Sequence, residues 1–313
     1  MALMVDQPIR EIPLPREFPL VSRGKVRDTF GIPPEMVAGR DDLLLQVTTD
    51  RASALNVKLM PGIADRGLVL VGLTTFFAQA IMGIREILIE GIKTHIVEAD
   101  FERFSEPLRR VELLRGRSLI IRRQLVVPIE SVVRFYLTGT AWRDYQRTGA
   151  IFGCHVPAGL KEWDPVPESA CWTPTLKSAL DEPLTLEILP LIFNGNMIDR
   201  IRYLSIQVMN KIAELADKAG FVLIDGKLEW GINRANELVL VDEWGTPDAC
   251  RWVTKETFEA GQPVSYDKDP IRHWLQPILD AGQPVPEIPA ELQAEVRERY
   301  LEVYRRVAGQ ELV

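Results

Sequence analysis

The sequence predicts an α/β (α+β) fold in which a β-rich N-terminal lobe precedes a larger domain of sheet and helices. Three observations carry that expectation. Strand-like apolar runs come early, two amphipathic helices come late, and between those helices two apolar runs flank a turn in the manner of a β-hairpin. At roughly 150 residues per domain, 313 residues make two domains, which we place at 21–122 and 123–313 behind an N-terminal arm.

The elements follow in order. Residues 1–20 carry Pro8, Pro13, Pro15 and Pro19 among alternating charges and lack the apolar core of a signal peptide, so a poorly ordered arm is expected. Pro19 to Phe30, Leu43 to Thr48 and Arg117 to Val127 read as strands separated by turn-rich GIPPE and AGRDD. Gly67 to Ile84 has no charged residue, but its glycines, threonines and Gln79 point to a short apolar piece and a buried helix rather than a membrane span. Trp163 to Leu189 is proline-rich and aperiodic, a long loop able to cover a site. Ile198, Ile201, Leu204, Val208, Ile212 and Leu215 form one face of a helix stopped near Gly220, and a second helix spans Ala290 to Ala308 before Gly309.

Composition removes several classes of function. With 37 basic and 44 acidic residues the net charge is −7, which argues against a general nucleic-acid binder or a polybasic membrane binder. Cys154, Cys171 and Cys250 show no CxxC spacing and are odd in number, so neither a disulfide framework nor a thiolate zinc site is supported, and a reducing cytoplasm fits best. Three scattered histidines leave the chemistry to carboxylates, lysines and arginines.

Four constellations carry that chemistry. In the hairpin Phe221 to Trp244, alternation puts Leu223, Asp225, Lys227 and Glu229 on one face and Val222, Ile224, Leu228 and Trp230 on the other. With the turn centred on Ala235, Glu229 is expected roughly opposite Asp242, and two facing carboxylates suggest a cation between them, with Mg²⁺ the natural candidate. A solvated face on which Lys227 merely separates two acids is the plainer alternative. In Ser22 to Asp28, Gly24 allows close backbone approach to a ligand while Lys25 and Arg27 project together and suit a polyphosphate; a basic strand edge is equally compatible. Arg134 lies on an apolar run before Gly139 and Thr140, and Arg251 follows a Thr-Pro turn. The two arginines suit one anion, or each is a salt-bridged structural group.

Taken together, GKVRD (24–28), TTDRASA (48–54), PGIADRG (61–67), VVRFYLTGT (132–140), PAGL (157–160), DGKLEWG (225–231) and DEWGTPDACR (242–251) resemble the SAICAR synthetase family, in family order and over essentially the whole chain. The resemblance implies a fold related to ATP-grasp enzymes, with 21–122 as a nucleotide-binding lobe and 123–313 as the ATP-grasp-like domain. It also implies an ATP-dependent ligation of the carboxylated aminoimidazole ribotide CAIR with L-aspartate, giving SAICAR in purine synthesis. By position, Gly24, Lys25, Arg27, Lys227, Glu229 and Asp242 match the ATP site, with Glu229 and Asp242 on Mg²⁺. Arg134, Gly139, Thr140, Asp248, Cys250 and Arg251 match the ribotide site, and Lys227 and Arg251 the catalytic groups. No nucleic-acid or membrane partner is implied, and homo-oligomerisation stays open.

The chain departs from the family pattern at Asn56, where an acid is usual, at Thr140, at Ala249 and Cys250 in place of two hydroxyls, and in a shortened 177–185 loop without its histidine. These departures fall near the ribotide and amino-acid sites. The alternatives they raise are a paralogue ligating an altered carboxylate or amine, and a non-catalytic nucleotide-binding descendant.

Overall fold

The computed structural model describes residues 7–37, 39–82, 93–167, 170–178, 183–184, 189 and 193–312. In chain order the elements that position the site are β1 (Leu20–Arg23), β2 (Arg27–Gly31), β3 (Leu43–Thr48), β4 (Ala52–Ala54), β5 (Val57–Leu59), α1 (Arg66–Met82), β6 (Lys93–Thr94), β7 (Ile96–Glu98), α2 (Glu106–Arg109), β8 (Ser118–Arg122) and β9 (Leu125–Arg134). They continue with α3 (Gly139–Thr148), β10 (Ala150–Ile151), β11 (Cys154–His155), β12 (Cys171–Trp172), β13 (Thr175–Leu176), α4 (Gly195–Lys218), β14 (Phe221–Ile232), β15 (Leu238–Val241), β16 (Cys250–Thr254), α5 (Lys255–Glu259), α6 (Asp269–Asp280) and α7 (Ala290–Ala308).

Two antiparallel-rich sheets form the frame. The first has the order β1-β2-β3-β8-β7, and its two faces follow from strand alternation. Leu43, Leu45 and Val47 join Phe30, Phe101 and Leu108 in one core, whereas Leu44, Leu119 and Ile121 meet Val71 of α1 on the other side. The second sheet runs β12-β9-β14-β15-β6, with β13 also on β9 and β16 also on β14. Residues 123–124 carry the chain from one sheet to the other. The two halves interlock, because β6 pairs with β15 and α1 packs against α7.

The apolar stripe of α4, Ile198, Ile201, Leu204, Val208 and Ile212, is buried against the second sheet. Polar groups inside this seam are satisfied: Trp172 Nε1 donates to Ser131 Oγ at 2.6 Å, Ser131 to Ser205 Oγ at 2.7 Å, and Trp230 Nε1 to Ser205 Oγ at 2.9 Å. Gly220 and Gly309 follow α4 and α7 at φ 78° and 68°, the left-handed geometry that ends a helix. The helix at Gly67 to Ile84 is found as α1, buried along most of its length, and among the described residues no helix is long and apolar enough to cross a membrane.

Three expectations need correction. Residues 7–19 are not a loose arm: Ile12 and Phe18 are buried in the first core, and Ile9 N donates to Asp50 Oδ2 at 2.8 Å, because apolar side chains spaced among the prolines find a covered face. Pro19 to Phe30 is two strands, broken at a tight turn where Gly24 N donates to Arg27 O at 2.7 Å. In Trp163 to Leu189, β12 and β13 pair with β9, so part of the expected loop is sheet; residues 168–169, 179–182 and 185–188 lie outside the described residues.

Candidate active site

A cavity of about 810 Å³ opens between the two sheets, lined by the β1–β2 turn, the β4–β5 turn, the inner faces of β9 and β14, and residues 242–251 and 267–272. Alternation decides what reaches it. On β9 and β14, Val133, Ile129, Leu228 and Trp230 go to the core while Glu130, Val132, Asp225, Lys227 and Glu229 turn inward to the cavity. Register sets them side by side, with Asp225 opposite Arg134, Lys227 opposite Val132 and Glu229 opposite Glu130.

The charge pattern follows from that register. Glu130 and Glu229 would repel across the ladder, and Lys227 Nζ bridges them at 2.7 Å and 3.1 Å, with Lys177 also paired to Glu229. Burial disfavours the ammonium, but Glu229, Glu130 and Asp242 outweigh it and hold the Lys227 pKa above its ordinary value. From the first sheet, Arg27 Nη2 reaches Asp242 Oδ1 at 2.8 Å and Glu243 Oε1 at 3.0 Å. Burial raises the Asp242 pKa, but Arg27, Lys227 and Lys177 overcome it and hold the carboxylate below its ordinary range; burial drives the neighbouring Glu243 upward.

The hairpin turn does centre on Ala235, but this register puts Glu229 opposite Val241, not Asp242. Asp242 is one residue further, beyond the strand end at φ 72°, and that left-handed turn delivers its side chain to the cavity. Among the described residues no three acidic, histidine or cysteine side chains form a protein-only metal centre. Glu229 and Asp242 nevertheless fit a Mg²⁺ ion that brings phosphate oxygens with it, since that ion commonly takes one or two protein carboxylates.

Lys25 lines the same cavity, its Nζ donating to Asn56 Oδ1 at 2.7 Å. Gly24 serves the turn first: a Cβ there would stand 2.9 Å from Arg27 O, closer than real contacts allow. Arg51 locks this turn, its Nη2 donating to Asp28 Oδ1 at 2.6 Å and Nη1 to Asp28 Oδ2 at 3.0 Å.

The opposite end of the cavity is built on Asp225. Arg134 Nη1 donates to Asp225 Oδ2 at 3.0 Å and Arg134 Nε to Thr173 Oγ1 at 2.9 Å, while Arg251 Nη1 stands 3.7 Å from the same carboxylate oxygen. Arg251 lines the cavity; Arg134, 7% exposed, lies behind Asp225 and outside the lining. Desolvation lowers the Arg134 pKa, whereas Asp225 chiefly raises that of Arg251. Gly139 opens α3 at φ 59°, with Arg251 Nη2 3.2 Å from where a Cβ would be, and Arg134 Nη2 is 3.5 Å from Thr140 Oγ1. Thus Arg134, Gly139, Thr140 and Arg251 come together, with a protein carboxylate already between the two arginines.

Asp248 lines the floor, held by Arg66, by Lys268 Nζ at 2.8 Å and by the Tyr300 hydroxyl at 2.8 Å. Cys250, also in the lining, is buried in the core beside Gly226, and burial pushes its thiol up. Gly245 turns the preceding loop at φ 68°, and a Cβ there would stand too close to Phe77 Cδ2, a clash with the ring edge. Gly245→Ala is expected to cost about 2–3 kcal/mol in urea unfolding, by overpacking and backbone strain combined.

Sequence reasoning missed Glu130, Glu243, Asp267, Lys268 and Arg272, all in the lining. Glu130 carried the available signal, since alternation along VVPIESVVR places it two residues from Val132 on one face. Lys177 also lines the cavity, but residues 179–182 and 185 of the shortened loop lie outside the described residues.

Comparison with known proteins bears on the whole chain. The SAICAR synthetase family matches residues 20–289. The phosphoribosylaminoimidazole-succinocarboxamide synthase of Thermodesulfovibrio yellowstonii is 35% identical over 291 residues, spanning 91% of this chain and 94% of that protein. Among solved structures, the SAICAR synthase of Saccharomyces cerevisiae complexed with SAICAR superposes with a TM-score of 0.80 at 30% identity, covering 97% of this chain and 99% of that one. A SAICAR synthetase in complex with ADP, 23% identical, shares the fold with a TM-score of 0.65 over 93% of this chain and 98% of that one.

Proposed function

The chain belongs to the SAICAR synthetase family, and from that premise we propose how its central cavity divides the work of the reaction. The enzyme is an ATP-dependent carbon–nitrogen ligase that joins CAIR and L-aspartate to give SAICAR in purine biosynthesis, releasing ADP and phosphate. A paralogue with altered substrates and a non-catalytic descendant are not favoured, given near full-length similarity to the synthases.

The observation that carries the division is that one cavity holds two sets of lining cations on different acids, Arg27 and Lys227 on Glu130, Glu229, Asp242 and Glu243 at one end, and Arg251 and Arg272 with Asp225, Asp267 and Asp269 at the other. Two anionic substrates can therefore be held against each other. The nucleotide phosphates take the first end, with Glu229 and Asp242 holding Mg²⁺, which when bound would neutralise phosphate charge. The base lies in the adjoining cavity of about 190 Å³ walled by Ile121, Val126 and Val241, which shares Gln46, Lys177, Glu229 and Asp242 with the larger one. The ribotide phosphate takes the N-terminus of α3, where backbone N–H groups of a helix end and the fork of Arg251 favour an anion, with Arg134 behind it holding Asp225 in place. A cytoplasmic location accords with three free cysteines.

In this arrangement a carboxylate oxygen of CAIR attacks the terminal phosphorus and ADP leaves; the aspartate amine then attacks the acyl carbon and phosphate departs with that oxygen. Lys227 and Arg27 sit where negative charge spreads during phosphoryl transfer, held by their carboxylate partners before substrate arrives. Arg251→Lys keeps the charge but loses the fork, so KM for the ribotide should rise about tenfold while KM for ATP stays within twofold. Steady-state ADP release with each substrate varied in turn checks this, and equal effects on both substrates would make Arg251 structural. Running the same assay with CAIR and a panel of amino acids tests the function itself: SAICAR formed only with L-aspartate supports it, and turnover indifferent to aspartate overturns it.

A further inference from the structure

Outside the central cavity, two of the three thiols touch each other. Cys154 of β11 and Cys171 of β12 pack in one small core with Leu137, Ala141 and Ile151, and the Cys171 thiol donates a hydrogen bond to the Cys154 sulfur. Cys154 is half-buried, with its Sγ 3.9 Å from Trp172 O, while Cys171 is buried. The bond from Cys171 lowers the Cys154 pKa to about 7, with Arg202 adding to it against burial; the same bond, together with burial, pushes the Cys171 thiol up. The pair thus divides into a partly exposed sulfur that ionises near neutral pH and a covered one that keeps its proton, the division of labour between an attacking and a resolving cysteine.

Both sulfurs flank Arg134. In the register of β12 on β9, Cys171 stands opposite Arg134, and Thr173, two residues on, accepts from Arg134 Nε at 2.9 Å. Two residues before Cys154, the Phe152 ring lies 5.5 Å from the Arg134 guanidinium. The β10–β11 hairpin is also tied to α3, whose Asp144 Oδ2 accepts from Phe152 N at 2.7 Å. Trp172 Nε1, bound to Ser131, anchors β12 in the core, so a bond between the sulfurs draws the hairpin, Phe152 and α3 toward β12 rather than the reverse. That movement reaches Gly139 at the start of α3, which lies against Arg251.

We propose that Cys154 and Cys171 form a redox modification site, oxidised by a hydroperoxide to a disulfide that shifts α3 and weakens ribotide binding. The inference rests on the reading that the ribotide phosphate is held between α3 and Arg251. The Cys154 thiolate takes one oxygen of the hydroperoxide; the O–O bond breaks, and the other oxygen leaves as water or an alcohol with the proton that Cys154 gave up. The Cys171 sulfur then attacks the sulfenic sulfur. The S–S bond forms, the S–O bond breaks, and the hydroxyl leaves as water with the Cys171 proton. Two electrons pass from the thiols to the peroxide, and a small thiol returns them by exchange.

The test treats the full chain with hydrogen peroxide, alkylates the remaining thiols under denaturing conditions and maps the digest by mass spectrometry. A linked Cys154–Cys171 peptide is expected, two hydrogens lighter than its parts, with Cys250 alkylated. In the same sample KM for the ribotide should rise about tenfold and KM for ATP stay within about twofold, and dithiothreitol should restore both. Cys154→Ser should keep the native kinetics and lose the response to peroxide, and Cys171→Ser should stop at a Cys154 sulfenic acid that dimedone traps. Absence of the linked peptide overturns the proposal wherever the ribotide binds. The linked peptide with an unmoved ribotide KM overturns the proposal where Arg251→Lys raises that KM, and overturns the ribotide reading beneath it where Arg251→Lys does not.

Discussion

Lys227→Met should lower kcat by about 10²–10³ while the protein stays folded, the scale of loss when a positioned charge-stabilising group is removed. Lys227 touches both Glu130 and Glu229, and it stands at the end of the cavity assigned to phosphates. Its effect on stability is expected to be smaller. The side chain retains 32% exposure, solvent screens the pairs, and Lys177 still neutralises Glu229 in the variant. Because the folded pKa is raised, the stabilisation is fully present below the unfolded value near 10.4 and is lost only as pH rises through the folded one. Near neutral pH the variant should thus unfold at a urea concentration only modestly lower than the parent while turning over far more slowly. A kcat within threefold of the parent would remove Lys227 from the chemistry.

Arg66→Met should destabilise the fold by about 2–3 kcal/mol, below the roughly 3–5 kcal/mol for stranding one member of a buried ion pair, because Lys268 and the Tyr300 hydroxyl still hold Asp248. Arg66 and Asp248 side chains are 1% and 3% exposed, and their contact ties α1 to the loop that leads into β16. Burial raises the Asp248 pKa, but Arg66 and Lys268, with the Tyr300 hydroxyl, outweigh it and hold this carboxyl far below its usual range. A depressed carboxyl pKa contributes stability that is present above the unfolded value near 3.9 and lost as pH falls toward the folded one. The parent should therefore lose this contribution below about pH 4, whereas the variant, with a weaker shift, should lose less of it over the same interval. Urea unfolding at pH 7 and at pH 3 measures both; equal losses in the two proteins would show that Arg66 does not set the Asp248 shift.

What could be read in the sequence follows from the range of the interactions involved. Lys227 and Glu229 were legible because strand alternation is a local rule, and α4 and α7 because a 3.6-residue period repeats over several turns. Arg27 meeting Asp242 across 215 positions has no local signature; only the resemblance placed both at one nucleotide site. The register of Asp242 was misjudged by one residue, since reflection through Ala235 brings Glu229 to Val241, and only the left-handed backbone at residue 242 returns the carboxylate to the cavity. Lys268 and Tyr300 gain their roles from distant partners, which no periodicity encodes. The burial of Ile12 and Phe18 likewise depends on a core completed by residues as distant in the chain as Phe101 and Ile120. The two readings of Arg134 and Arg251, anion clamp or salt bridge, do not exclude each other, because Asp225 holds both forks at the mouth of α3.

The central claim, that the cavity activates the CAIR carboxylate by phosphoryl transfer before the amine attacks, is tested most directly by oxygen transfer. CAIR labelled with ¹⁸O in its carboxylate is incubated with Mg-ATP, L-aspartate and the enzyme, and the released phosphate and the product are analysed by mass spectrometry. The account predicts SAICAR accompanied by phosphate carrying one ¹⁸O atom from the carboxylate. Phosphate free of label, with SAICAR formed at the same time, would contradict it.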